Sequence, residues 1–407
     1  MEEHRAAGVD GGSVSRPRVL IAHPYLNAAG GGNAVAAWAL QALRDDCDVT
    51  LGTLGPVDRV AVNRNFGTSL RAEDFTVRIA PALWRGVVRH IPTQGALLRQ
   101  CVTMRWAQDL DRAERFDVLL STENEADFGR PGIQYVHYPW AYLPRPDVEL
   151  SAVHRIPGLL AAYRMLCLRI SRGSPDGLRR NLSLANSEFV AARIRHVHGM
   201  GAEILYPPVP GGFPAVPWEE RVEGIVALGR MHHVKRWEMA VEIADRVRSQ
   251  GGEISLTLIS NRHQADYAAR MEALAAARPW FRILYDVPRE QLVREVARHR
   301  YGLHTMEEEH FGIAPAELQR AGCIVFVHRS GGPMEIVGRR EELMFRDAED
   351  AAARIGRVLN DAPLAGELRR FSARQAECFS EERFCAELRR CVGRSLPKRE
   401  QPSGDPA

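Results

Sequence analysis

Residues 18–43 read RVLIAHPYLNAAGGGNAVAAWALQAL, and this stretch decides the fold. Its first run, Arg18–His23, is apolar and rich in branched side chains, which predicts a buried strand. A loop with three glycines follows, and then the helical pattern Ala34–Leu43. A strand, a glycine loop and a helix in this order begin a parallel sheet covered by helices. We therefore expect a Rossmann-like first domain, with Asn33 as the N-cap of its first helix.

The same alternation continues on both sides of a stretch rich in Pro and Gly. That stretch, residues 206–221, reads YPPVPGGFPAVPWEER; its prolines exclude a continuous helix or a central strand, so it is predicted to be a linker. Before it, strands are predicted at Val49–Leu54, Val118–Ser121, Ile133–His137 and Leu182–Asn186. After it, predicted strands are Gly224–Leu228, Ile254–Ser260, Phe281–Tyr285, Tyr301–Thr305 and Ile324–Val327, and predicted helices are Glu238–Ser249, Ala265–Ala277, Arg289–Arg300 and Ala314–Ala321.

The chain is therefore predicted to be an α/β protein with two Rossmann-like domains. A last helix, Glu381–Val392, carries an apolar face and is predicted to pack back on the first domain. The expected segments are a disordered leader (1–16), an N-terminal domain (17–205), a linker (206–221), a C-terminal domain (222–378), a cross-over helix (379–395) and a disordered tail (396–407).

Composition narrows the class of protein. The 407 residues are 45% hydrophobic and carry a formal net charge of +3, which argues against a protein devoted to binding nucleic acid. Seven scattered cysteines without a CxxC pair favour a reducing compartment. The sequence has neither the apolar run of a signal peptide nor one of the ~20 residues that a membrane-spanning helix needs. A cytoplasmic protein is expected, with peripheral attachment to the inner face of the membrane left open.

The most informative stretch is EEEHFGIAPAELQRAGCIVFVHRSGGPMEIV, residues 307–337. Two carboxylates, Glu309 and Glu317, are separated by seven residues, and Pro315 between them is predicted to be the first residue of a helix. This arrangement puts free backbone N–H groups and the positive end of a helix dipole beside carboxylates that can bind hydroxyls. A nucleotide-sugar requires that combination because its diphosphate lies between two sugars.

This stretch resembles glycosyltransferase family 4, whose retaining enzymes carry the same Glu pair around an FG step. The resemblance implies a GT-B fold, in which two Rossmann-like domains face each other across a cleft, the first (17–205) for the acceptor and the second (222–378) for the nucleotide-sugar. It also implies that Glu317 binds the ribose hydroxyls of the donor and that Glu309 contacts the transferred sugar. The residues implied near the sugar and the phosphates are His310, Phe311, Gly312 and Ile313.

A second match to the family is ALGRMHHVKRWEMAVEIA, residues 227–244. Here a predicted strand ends at Gly229 and Arg230, and Lys235 lies just before a helix. In similar enzymes the Arg and Lys hold the diphosphate, where negative charge gathers as the glycosidic bond breaks. With these two cations available, neither a metal nor a cofactor is expected. The DxD spacings at Asp46–Asp48 and Asp109–Asp111 fall at predicted helix ends.

Two glycine-rich turns and one histidine complete the predicted site. Ser330 and Gly331 follow a predicted strand, and Gly31 and Gly32 lie in the first loop; in similar enzymes both turns border the donor. Each turn taken alone is also consistent with a simple tight turn. His137 stands at a predicted strand end in YVHYPW, where it is either close to the transferred sugar or a structural histidine.

The motifs HYP, HFGI and SGGP resemble those of the mannosyltransferases that extend the lipid-linked oligosaccharide core. GDP-mannose is thus the first choice of donor and a UDP-sugar the second, with a saccharide, lipid-linked or small-molecule acceptor. Two basic, apolar segments, residues 84–106 and 155–180, fit either peripheral membrane contact or ordinary surface helices. The alternatives are a non-catalytic nucleotide-sugar-binding protein, a Rossmann oxidoreductase and a nucleic-acid binder.

Overall fold

The computed structural model describes residues 16–89, 96–142 and 156–397. The predicted leader up to residue 15, the predicted tail from residue 398 onwards and the first of the arginines in the segment 155–180 lie outside the described residues.

The first sheet has seven parallel strands in the order β3-β2-β1-β4-β5-β6-β7. The strands are β1 Arg18–Ala22, β2 Asp48–Thr53, β3 Thr76–Ile79, β4 Val118–Ser121, β5 Ile133–Val136, β6 Leu182–Ala185 and β7 Glu203–Ile204. The helices are α1 Gly31–Leu43, α2 Arg59–Phe66, α3 Ala82–Arg89, α4 Ala96–Glu114, α5 Leu159–Ser171, α6 Pro175–Arg179 and α7 Glu188–His198.

The second sheet has six parallel strands in the order β10-β9-β8-β11-β12-β13. Its strands are β8 Val222–Leu228, β9 Ser255–Ser260, β10 Phe281–Tyr285, β11 His299–His304, β12 Ile324–His328 and β13 Met344–Phe345. Its helices are α8 Trp237–Ser249, α9 Ala265–Ala276, α10 Arg289–Ala297, α11 Ile313–Arg320, α12 Pro333–Ile336, α13 Ala348–Asn360 and α14 Ala362–Ala376. The prediction of two Rossmann-like domains is confirmed.

Both sheets reverse their strand order at the same place, between the first and the fourth strand. The reversal falls between β1 and β4 in the first sheet and between β8 and β11 in the second. Ligands of open α/β sheets bind outside the carboxyl ends of the strands at such a point. The candidate site should therefore be formed by the loops that follow these four strands.

The last helix, α15 (Glu381–Ser395), packs on the first domain as predicted. Phe384, Leu388 and Val392 are buried in the core that also contains residues of α1 and β1. The Arg389 guanidinium donates a hydrogen bond of 2.7 Å to the carbonyl of Ala42 at the end of α1. The apolar face of α15 thus ties the C-terminus of the chain to the first domain.

The predicted N-cap of the first helix is wrong. Helix α1 begins at Gly31, and the Asn33 side chain turns inwards instead of capping it. The Asn33 amide donates to the carbonyl of Ala28 at 2.6 Å, and its oxygen lies 2.8 Å from Nε2 of the buried His23. Asn33 therefore stabilises the loop after β1 and fixes the orientation of His23.

Two other predicted helix ends differ from the structure. Helix α11 begins at Ile313, so Pro315 is its third residue and not its first. Helix α10 ends at Ala297, and His299 already belongs to β11, where its Nε2 lies 2.9 Å from the hydroxyl of Thr257. Burial of this polar pair in the sheet outweighs the helical pattern of the sequence.

Candidate active site

An ion pair between Lys235 and Glu309 lies at the carboxyl ends of β8 and β11. Lys235 ends a short 3-10 turn after β8, and Glu309 lies in the loop between β11 and α11. The two loops are joined because the hydroxyl of Thr305 donates a 2.6 Å hydrogen bond to the carbonyl of Lys235. The structure thus brings together the residue predicted to bind the donor phosphates and the one predicted to contact the sugar.

Glu309 is held as a carboxylate despite its burial. Burial raises the pKa of Glu309, but the charge and hydrogen bond of Lys235 outweigh it and hold the pKa well below its usual range. The buried His304 is the last residue of β11, and its Nε2 lies 3.7 Å from a Glu309 oxygen. Burial and the nearby Lys235 lower the pKa of His304 to about 3, so this imidazole is neutral at pH 7.

The turn SGGP after β12 supports the loop that carries Glu309. The backbone N–H of Gly332 donates to the carbonyl of Glu309 at 2.9 Å, and that of Glu308 donates to the Ser330 hydroxyl at 2.9 Å. Gly331 has a φ of +74°, and a Cβ atom on it would lie 2.4 Å from the Glu309 carbonyl oxygen. Only glycine permits this approach, so the turn fixes the position of Glu309. A direct contact of Ser330 and Gly331 with the donor stays a prediction.

Glu317 lies on α11 and pairs with a residue that sequence reasoning missed. Its side chain is buried, and Arg289 at the start of α10 donates a 2.6 Å hydrogen bond to it. Burial raises the pKa of Glu317, and Arg289 opposes the increase. Arg230, by contrast, is exposed, and in the described part of the chain its side chain has no partner. The structure therefore does not bring Arg230 into the Lys235–Glu309 pair.

Two helix N-termini meet where the domains face each other. A Cβ atom on Gly31, the first residue of α1, would lie 2.7 Å from Cδ1 of Ile313, the first residue of α11. The residues before them, Gly30 and Gly312, provide no side-chain cap, and neither helix has an acidic residue in its first turn. Each N-terminus therefore presents uncapped N–H groups and the positive end of a helix dipole, which together attract anions.

Other residues of the predicted donor set join the two domains. The Ser187 hydroxyl in the first domain donates a 2.6 Å hydrogen bond to the carbonyl of His310, and the His310 ring stacks on Tyr138 with centroids 3.9 Å apart. Phe311 is buried against Tyr206 and Phe379, so its side chain is part of the interdomain core. Any contact of Phe311 with the donor would come from its backbone.

The first domain contributes a half-buried cluster of polar side chains behind Gly32. A Cβ atom on Gly32 would lie 3.4 Å from Nε2 of His137 and 3.6 Å from Oε2 of Glu123. His137 Nε2 lies 3.0 Å from the carbonyl of Thr122, so this nitrogen carries the ring proton. Burial lowers the pKa of His137, although Glu123 opposes the decrease, and burial raises the pKa of Glu123.

Glu123 was not found from the sequence. It follows β4 at the reversal point of the first sheet, so its place in the strand order is the signal that could have found it. Its oxygen also lies 3.8 Å from Nδ1 of His23, which follows β1.

Among the described residues, no group of three or more His, Cys, Asp or Glu side chains is arranged to hold a metal ion. Asp109 and Asp111 lie within α4, where they pair with arginines and not with each other. The described part of the chain contains no helix with both the length and the apolar character needed to cross a membrane.

The sequence is similar to known glycosyltransferases. Residues 213–375 match the model of the family described as Glycosyl transferases group 1. A GDP-Man:Man(3)GlcNAc(2)-PP-Dol alpha-1,2-mannosyltransferase of Xenopus laevis is 38% identical over 104 residues, which are 24% of this chain and 21% of the relative. A relative of the same name from Candida glabrata is 25% identical over 236 residues, 51% of this chain and 45% of the relative. The chain spans less than half the length of either.

Solved structures show the same fold at low sequence identity. Sucrose-phosphate synthase from Thermosynechococcus elongatus superposes with a TM-score of 0.65 at 15% identity, covering 93% of this chain and 98% of that chain. HepE from Anabaena, in complex with UDP and glucose, has a TM-score of 0.62 at 13% identity and covers 93% of this chain and 100% of that chain. The protein therefore has the GT-B fold of glycosyltransferases, and its second domain matches the Glycosyl transferases group 1 model.

Proposed function

We propose that this protein is a retaining glycosyltransferase that moves a hexose from a nucleotide-diphosphate sugar to a saccharide, lipid-linked or small-molecule acceptor. The observation that carries this proposal is the meeting of the uncapped N-termini of α1 and α11 near the Lys235–Glu309 pair. Dipole ends and a fixed cation suit a diphosphate, and a buried carboxylate suits the hydroxyls of the sugar. The family match of residues 213–375 supports the same reading.

In the proposed reaction the negative charge of the leaving diphosphate develops beside Lys235. The ammonium group has three donors, so it can keep its bond to Glu309 and still donate to a phosphate oxygen. The exposed Arg230 supplies a second cation, and the missing side chain of Gly229 leaves room for Lys235 beside the strand end. Glu317 binds the ribose hydroxyls. Its carboxylate then accepts hydrogen bonds from these hydroxyls and from Arg289 at the same time.

The acceptor hydroxyl attacks on the face that the diphosphate leaves, and its proton goes to the leaving phosphate. No protein nucleophile, metal or cofactor takes part. His137 lies close to the transferred sugar, and Glu123 accepts a hydrogen bond from a second hydroxyl of the acceptor and so orients the attacking one. These assignments rest on the short distances from both side chains to the space above Gly32.

We assign GDP-mannose as the first donor because the relatives named above carry GDP-Man in their names. A UDP-sugar is the second candidate, since HepE, which shares the fold, was solved with UDP and glucose. We propose a cytoplasmic enzyme, attached to the inner face of the membrane through its first domain if the acceptor is lipid-linked.

Thermal stabilisation by GDP-, UDP-, ADP- and dTDP-sugars, with NAD as a cofactor control, tests the donor site. One nucleotide-sugar should raise the melting temperature of the wild-type protein and not that of Glu317→Ala. Release of the nucleotide with and without EDTA then tests catalysis without a metal, and the anomeric configuration of the product by NMR tests retention. Binding without release of nucleotide would favour a non-catalytic nucleotide-sugar-binding protein, and a shift with NAD alone would favour an oxidoreductase.

A further inference from the structure

We propose that the acceptor carries a phosphate group and that a cavity of the first domain, containing Arg85 and Arg99, binds it. This inference rests on the proposed transferase function and specifies the chemical class of its acceptor. The cavity has a volume of about 480 Å³, which is within the usual range of small-molecule sites. It is lined by Tyr25, Leu54, Gly55, Pro56, Arg85, Val88 and Arg99.

The cavity lies at the edge of the sheet where acceptor groups are expected. Tyr25 lies in the loop that follows β1, and Leu54 with its two neighbours follows β2, so the floor of the cavity is the carboxyl edge of the first sheet. Helices α3 and α4 provide the walls through Arg85 and Arg99. The loop after β1 continues to Gly31, which contacts the second domain, so the cavity and the interdomain site share one loop.

The charge of the cavity favours a dianion. Two of its lining side chains are guanidinium groups and none is a carboxylate. Arg85 is exposed, and within the described ranges its guanidinium has no hydrogen-bond or ion-pair partner. Guanidinium groups bind phosphate through paired N–H donors, and two of them match its double charge. The ring of Tyr25 and the apolar side chains of Leu54 and Val88 offer a surface for the organic part of the ligand.

Arg99 also connects the cavity to the proposed reaction centre. It is near enough to Glu123 to lower the pKa of that carboxyl against the effect of burial. Glu123 in turn borders the space above Gly32, which His137 shares. A phosphate on Arg85 and Arg99 would therefore anchor an acceptor whose hydroxyl extends towards Glu123. The donor diphosphate is assigned to Lys235 in the other domain, so the two anionic groups have separate cations.

Phenyl phosphate is the soluble probe for this cavity, and its affinity can be measured by calorimetric titration of the full-length protein. We expect Arg85→Gln and Arg99→Gln each to weaken binding about tenfold, the loss expected for one charge-assisted hydrogen bond. Lys235→Ala, in the donor site, and Arg195→Gln, at an exposed arginine on α7, should bind the probe as the wild type does. The exposed side chain of Arg85 makes folding of that variant secure.

Vesicles of phosphatidylcholine with and without phosphatidic acid distinguish the source of the phosphate. Capture by the phosphatidic acid vesicles that Arg85→Gln loses indicates a lipid phosphate, whereas binding of phenyl phosphate without capture indicates a soluble one. The proposal is overturned if the wild type binds neither probe, or if Lys235→Ala and not Arg85→Gln abolishes binding. Nucleotide-sugar binding is measured on the same preparations to separate the transferase function from the phosphate-binding cavity. A wild type that binds phenyl phosphate but no nucleotide-sugar would contradict the transferase function and not the cavity.

Discussion

The second domain holds its candidate donor residues in neighbouring loops, whereas the first domain collects its candidate residues from the ends of strands far apart in sequence. Glu309 and Glu317 flank the start of one helix, and backbone hydrogen bonds from the turn after β12 support the first of them. His23, Glu123 and His137 follow three different strands and meet by side-chain contacts. The candidate residues of the second domain are thus found from local sequence patterns, while those of the first domain come together only once its sheet has formed.

The largest effect on kcat should come from removing Lys235, the cation proposed to bind the donor diphosphate. Lys235→Ala removes the ammonium that faces Glu309 and the proposed diphosphate, so kcat should fall about 10²- to 10³-fold, as when one preorganised donor is lost from an active site. The Glu309 carboxyl should also lose its low pKa, because burial then acts without an opposing charge. Steady-state kinetics with the identified donor would measure this.

The matched control is Arg195→Ala, which removes an exposed cation of the first domain and should leave kcat unchanged. A loss of less than tenfold in Lys235→Ala would mean that Lys235 does not supply the main stabilisation of the leaving group.

The next largest effect, on the stability of the protein, should come from replacing Gly331, which supports the Glu309 loop. Gly331→Ala places a Cβ atom 2.4 Å from the Glu309 carbonyl oxygen at a φ of +74°, so the loop must shift. We expect a loss of about 3 kcal/mol in stability, since a clash with backbone adds to the cost of the left-handed conformation. Thermal unfolding measures the change, and donor binding should weaken with it.

Gly67→Ala is the comparison for this variant. Its φ is +71°, and a Cβ atom there meets open space, so it should cost only about 1 kcal/mol. Equal losses in both variants would show that the turn after β12 does not hold the Glu309 loop.

The same contrast explains what the sequence could predict. The buried central strand β4 is a continuous apolar run, and its predicted bounds agree with the structure, as do those of the half-buried edge strand β10. The strands β7 and β13 were missed because they have only two residues each, and β3 was missed because it is largely exposed. The overall fold therefore follows from the core strands, while these short strands depend on tertiary pairing.

In the candidate site, sequence reasoning named the residues whose spacing along the chain forms a local pattern, and their roles stay predictions. Lys235, Glu309 and Glu317 belong to local patterns, and the structure gathers the first two into one ion pair. Arg289 and Glu123 stand alone in the sequence, and their importance depends on partners 28 residues away or on another strand. Asn33 matched a capping position, but its contact with a buried histidine prevailed.

The pH dependence of transfer should reveal the carboxylate of the first domain. Burial raises the pKa of Glu123, so an activity that needs its charged form is present above that pKa and declines as the pH falls through it, at a pH above the usual value of 4.5. Glu123→Gln should lower kcat about tenfold, the effect of one charge-assisted hydrogen bond that orients the acceptor, and should abolish this acid limb.

Saturating donor keeps titration of Glu317 out of that profile, because the pKa of Glu317 is raised as well. Glu309 cannot produce the limb, since its pKa is lowered. An acid limb that persists in Glu123→Gln would remove Glu123 from the proposed mechanism and leave the first domain with a positioning role through His137.

The smallest effect on the free energy of unfolding should come from a contact between the two domains. Glu335 on α12 accepts hydrogen bonds from the backbone N–H groups of Glu188 and Phe189 at 2.8 and 3.1 Å, one on each carboxylate oxygen, and so caps α7 across the domain interface. Glu335→Gln keeps one acceptor oxygen and loses the other, and it should cost about 1 kcal/mol. Glu349→Gln, at an exposed position in the first turn of α13, is the control and should cost less than half of that. Urea midpoints of the two variants compare the costs; equal midpoints would mean that the domains are held by the apolar contacts of Phe311 and not by this cap.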